Sequence, residues 1–126
     1  MSSMKKILIL DEDGFSKICS AMLNDEGYQT ELASSSEEAE TCVEKNGISL
    51  IVLSYPFALP FLRSESARII PTIILSNDLS SDLIDMMKRS KNSVCLMKPL
   101  DYKRFKYIIR GVVSGYLNLT GGNIIA

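Results

Sequence analysis

The sequence predicts a doubly wound α/β domain with five parallel strands, and three observations predict it. Four short runs are apolar without alternation, one of them opening on a threonine: Ile7-Leu8-Ile9-Leu10, Leu50-Ile51-Val52-Leu53, Thr72-Ile73-Ile74-Leu75 and Val94-Cys95-Leu96-Met97. Strands covered on both faces of a parallel sheet have this composition, whereas half-exposed strands alternate. Helical periodicity or capping signals separate the runs, which makes the order β-α-β-α and requires crossover connections. Each run also ends on a reactive polar group: Asp11-Glu12-Asp13, Ser54, Ser76 and Lys98-Pro99. In an open parallel sheet those positions share the carboxyl edge, where ligands bind.

The elements follow in order. After the first strand, Phe15, Ile18, Cys19, Met22 and Leu23 recur at helical spacing and predict one buried stripe. Gly27 ends that helix, and residues 28–33 form a second, shorter strand. Ser35-Ser36-Glu37-Glu38 has the form of a capping box opening a second helix, with Ala39, Cys42 and Val43 facing inward. Gly47 closes it ahead of a strand over 48–53. Pro56 and Pro60 break regular helix after Ser54, leaving only residues 61–68 for a third helix of about two turns. Pro71 precedes the fourth strand. Asp78, Ser80 or Ser81 caps a fourth helix that buries Leu83, Met86 and Met87. Residues 94–97 are the fifth strand. In the last helix Phe105, Ile108, Ile109, Val112, Val113 and Tyr116 make one apolar stripe. Residues 1–119 are expected to be one domain, with 120–126 around Gly121-Gly122 a flexible tail or the start of a linker.

Composition narrows the chemistry. At 126 residues the chain can bury a core without disulfide or metal staples, and 23% charged residues suit a folded soluble domain. The chain contains no histidine, which excludes a Ser-His-Asp hydrolase, a His-ligated metal and a phosphohistidine carrier. Cys19, Cys42 and Cys95 fall at apolar positions without a CxxC pair, so they read as buried reduced thiols of a cytoplasmic protein, not as zinc ligands. The run after Lys5-Lys6 lasts four residues before three acids, which is a strand and not a signal peptide, and no stretch reaches membrane-spanning length. The net charge of −1 conceals a division: residues 1–50 carry −6 and residues 51–126 carry +5.

Two acids, two hydroxyls and a lysine, in this order and each directly after a strand, resemble the receiver domain of bacterial two-component response regulators. The resemblance spans about residues 5–117 and implies the flavodoxin-like (βα)5 fold. It implies that Asp11 and Glu12 stand where receivers hold Mg²⁺, and that Ser54 occupies the position of the phosphoacceptor aspartate. Ser76 matches the hydroxyl that turns toward a bound phosphoryl group. Lys98 matches the lysine that pairs with that group, and the Lys98-Pro99 bond is expected to be cis.

The departures bear on function. Ser54 cannot form an acyl phosphate, and its hydroxyl is a poor nucleophile with no histidine to act as base. With one carboxylate gone, Mg²⁺ at Asp11 and Glu12 is expected to bind weakly, if at all, and no other cofactor is expected. Cys95 stands at the position of the switch aromatic and cannot swing as a ring does. The segment between Ser54 and Pro71 is also shorter than receivers usually have. The expectation is therefore a pseudo-receiver: a signalling module, not an enzyme, that acts by protein contact independently of phosphorylation.

Receivers meet partners or a second copy through the fourth helix, fifth strand and fifth helix. Tyr102, Lys103, Arg104, Lys106 and Arg110 are accordingly the interface candidates, with a C-terminal output domain in a longer chain as a further expectation. A solvated outer helix face explains these basic residues better than nucleic-acid binding, and no membrane contact is expected. Two rival readings are a working phosphorelay receiver using Asp11, Asp13 or Ser54 as an unorthodox acceptor, and a small flavodoxin-like enzyme or nucleotide binder. No Gly-rich turn follows any strand, which counts against the latter.

Overall fold

The structure is a computed structural model that describes residues 5–45, 47–64, 69–89, 92–115 and 123–125. Among these, β1 (Lys6–Leu10), α1 (Asp13–Asp25), β2 (Gln29–Ala33), α2 (Ser36–Lys45) and β3 (Leu50–Ser54) succeed one another. They are followed by α3 (Leu59–Leu62), β4 (Thr72–Ser76), α4 (Ser81–Arg89), β5 (Ser93–Met97), α5 (Tyr102–Ser114) and β6 (Asn123–Ile125). All strand pairs are parallel, in the order β2-β1-β3-β4-β5-β6. The first five strands make the expected flavodoxin-like sheet. Its strand order reverses between β1 and β3, and that reversal opens a crevice at their carboxyl ends.

Alternating side chains of the strands feed two cores. Leu8, Leu10, Ile51, Leu53, Ile74 and Cys95 face the layer that includes Ala39 of α2, Phe61 of α3 and Leu83 and Met87 of α4. Ile7, Ile9, Leu50, Val52, Ile73, Leu75, Val94 and Leu96 face the opposite layer, with Cys19 and Leu23 of α1 and Phe105, Ile108 and Ile109 of α5. Every residue of β3 and β4 is buried, which explains why those runs lack alternation.

Local chemistry sets the helix ends. The Ser35 hydroxyl accepts the Glu38 N–H at 3.1 Å, while the Glu38 carboxylate accepts the Ser34 N–H at 2.8 Å. Ser80, one of the three expected caps, accepts the Leu83 N–H at 3.1 Å. Asp101 caps α5 by accepting the N–H groups of Lys103 and Arg104 at 3.1 and 3.2 Å. Gly115 ends α5 at φ +88°, a conformation that a side chain would strain.

The structure departs from the sequence reading at several places. A sixth strand exists: Asn123–Ile125, expected to lie in a tail or linker, pairs with Val94–Leu96 along the outer side of β5. Ile18 is not part of the buried stripe of α1 but is 58% exposed, because the buried face of that helix runs through Ser16, Cys19 and Leu23. The third helix begins earlier than expected and spans Leu59–Leu62, since Pro60 sits in its first turn, where a missing N–H costs nothing. The expected remainder at 65–68 lies outside the described residues, as does Tyr116. Cys42 is half-buried, unlike Cys19 and Cys95. The third strand starts at Leu50, although Ile48 ahead of it is buried as well. Among the described residues no helix is long and apolar enough to cross a membrane.

Candidate functional site

At the carboxyl edge β1, β3 and β5 bring three predicted residues together. Asp11 follows β1, Ser54 is the last residue of β3, and Lys98 follows β5. The Ser54 hydroxyl donates to Asp11 Oδ2. It accepts from Lys98 Nζ at 3.3 Å. Asp11 Oδ1 accepts the Glu12 backbone N–H at 2.7 Å. Asp11 and Ser54 are each only 4% exposed, so these bonds form where water competes little. The hydroxyl thus links a buried carboxylate to an ammonium, using its one donor and one of its two acceptor sites.

The three residues line a cleft of about 480 Å³ together with Glu12, Gly14, Phe15, Tyr55, Pro56, Phe57 and Asn77. Lys98 Nζ lies 5.4 Å from the centre of the Phe15 ring, within cation–π range. Phe15, which helical spacing assigns to the core stripe, lines the cleft, as do Tyr55 and Phe57 of the irregular segment after Ser54. Residues directly after a strand end must lie at the same edge, so their position behind Ser54 was the available signal. The Tyr55–Pro56 and Lys98–Pro99 peptides are both cis.

Ser76 is buried at the end of β4, but its hydroxyl donates to the Asp78 carbonyl at 2.6 Å and accepts the Asp78 N–H at 3.4 Å. It is committed to its own loop and does not join Ser54 and Lys98. Cys95 lies buried inside the α2–α3–α4 core, and burial pushes its thiol up to about 11. Cys19 is pushed up to about 12, first by burial and then by the charge of Asp11. Neither thiol ionises near neutral pH, so neither is an activated nucleophile.

The donor set does not make a resident Mg²⁺ site. Among the described residues no three Asp, Glu, Cys or His side chains cluster, both Asp11 oxygens already accept hydrogen bonds, and Lys98 Nζ reaches the Ser54 hydroxyl that donates to Asp11. A hard dication needs several free oxygens and gains nothing next to a fixed cation.

The interface candidates sit elsewhere, on α5. Tyr102, Lys103, Arg104 and Arg110 are exposed and Lys106 is half-buried. Arg110 donates to Glu26, just past α1, at 3.1 Å. The strand of the expected interface, β5, is covered on its outer side by β6.

No protein-family model and no curated protein matches the sequence. Solved structures do match. A chemotaxis response regulator of Vibrio cholerae is 20% identical, with 87% of this chain and 99% of that one covered, at a TM-score of 0.73. A receiver domain protein of Methanospirillum hungatei is 19% identical over 90% of this chain and 97% of that one, at a TM-score of 0.78. NtrX from Brucella abortus is 17% identical, and the match covers 90% of this chain but only 27% of that longer one, at a TM-score of 0.76. The fold of this chain is that of the CheY-like receiver domains.

Proposed function

We propose that this chain is a receiver-like module of two-component signalling that has kept the fold and lost phosphoryl chemistry, and that it works in the cytoplasm by binding proteins. The observation that supports this reading is the Asp11–Ser54–Lys98 chain of hydrogen bonds. A phosphoacceptor needs a free carboxylate oxygen facing a metal-bound phosphodonor. Here the acceptor position carries a hydroxyl in place of the carboxylate, and Lys98 Nζ donates to one of its lone pairs. Asp11 accepts the proton of that hydroxyl, but a carboxylate is a far weaker base than a serine alkoxide. The lysine that would meet a phosphoryl group instead offsets the charge of Asp11 through Ser54.

The test is incubation of the purified protein with acetyl phosphate and Mg²⁺, followed by intact-mass measurement. The mass should not change under conditions that phosphorylate an ordinary receiver. A phosphoryl adduct on Asp11, Asp13 or Ser54 would return the chain to the working phosphorelay.

A further inference from the structure

The outer faces of α5 and α2 carry opposite charge at identical spacing. On α5, Lys103, Tyr107 and Arg110 are exposed and Lys106 is half-buried. On α2, Glu37, Glu40, Thr41 and Glu44 are exposed. Both sets fall at i, i+3, i+4 and i+7, which places each on one helix face over a rise of about 10 Å. The buried residues of both helices lie on the opposite sides, Ala39 in one case and Phe105, Ile108 and Ile109 in the other.

The two faces cannot meet within one molecule. α2 packs on the sheet face that holds Leu8 and Ile51, whereas α5 packs on the face that holds Ile7 and Val52. A second copy can bring them together. We propose that the chain self-associates head to tail, with the Lys103–Lys106–Tyr107–Arg110 face of one copy seated on the Glu37–Glu40–Glu44 face of the next. Tyr107, 58% exposed, supplies the apolar area at the centre of the basic face. Arg110 already holds Glu26 of its own chain through one nitrogen, and a guanidinium has five donors, so it can bind a second carboxylate. Because the contact joins two different surfaces it is heterologous, and a pair leaves one face of each kind open to further copies. The inference depends on α2 and α5 alone, so it stands or falls separately from the chemistry of the cleft.

Sedimentation velocity of the full chain tests it, in low and in high salt over a concentration series. Association should appear at low salt and weaken at high salt. Two variants, Lys103→Glu with Lys106→Glu and Glu40→Lys with Glu44→Lys, should each weaken self-association by about tenfold or more. Mixed together they should associate, since the acidic α2 of the first meets the basic α5 of the second. Melting curves confirm that both variants fold, and Gln at the same positions serves where a reversal does not. A protein that stays monomeric at every concentration overturns the proposal. So does association that only the α5 variant weakens, or a mixture of the two variants that does not pair.

Discussion

Ser54 decides what the cleft can do, and one substitution tests the assignment. Ser54→Asp places a second carboxylate beside buried Asp11, so in chelator the variant should be less stable by on the order of 1 kcal/mol. Lys98 at 3.3 Å offsets part of that repulsion, and added Mg²⁺ should recover stability in the variant but not in the wild type. Thermal melts with and without metal read both effects; no difference between the two proteins would mean that position 54 does not face Asp11. The wild type should bind Mg²⁺ only at about millimolar concentrations or above. Backbone NMR shifts near Asp11 and Glu12 report this, and saturation at tens of micromolar would contradict it. Cysteine reactivity is a second residue-scale test. Half-buried Cys42 should react with a thiol reagent in the folded protein, while Cys19 and Cys95 react only on unfolding. The pH dependence has a definite sign. Cys19 ionises near 9.0 when exposed and at about 12 when folded, so the unfolded chain loses its proton first. That contribution is complete below pH 9 and is lost as pH rises toward 12. The fall in melting temperature across this window should be shallower in Cys19→Ala.

At the scale of single elements, the sequence was most legible where one signal acted alone. The four uninterrupted apolar runs had no competing reading, and all became strands with their polar ends at one edge. Helix α1 was legible in position but not in rotation. Ile18 lies between two neighbours that fit the stripe, and only packing decides that Cys19 and Leu23 are covered while Ile18 is not. The start of α3 is not legible from proline alone, which breaks a helix interior but is neutral in a first turn. The cap of α5 is legible in the sequence: Asp101 stands directly ahead of the longest apolar stripe. Asp101→Ala should therefore cost about 1 kcal/mol, measured as a lower denaturation midpoint. Asp101→Asn should retain most of it, which distinguishes a capping hydrogen bond from a general charge effect.

For the molecule as a whole, topology was legible because strict alternation of strands and helices leaves few arrangements. The meeting of Asp11, Ser54 and Lys98 at one edge followed from that topology, but the bonds among them did not. They join residues 43 and 44 positions apart in sequence and depend on side-chain rotamers that no local pattern encodes. Strand β6 was illegible for another reason: three residues are too few to carry a period, and pairing with β5 alone defines them. The charge division was plain in the sequence, but its meaning required the sheet, which places the glutamates of α2 and the lysines of α5 on opposite faces. A molecule polarised in this way has a consequence for its handling. An ion-exchange resin binds the face presented to it and not the sum over the surface. At neutral pH and low salt, a protein whose formal net charge is −1 should therefore be retained by cation- and anion-exchange columns alike. The Lys103→Glu, Lys106→Glu variant should lose its retention on the cation exchanger alone.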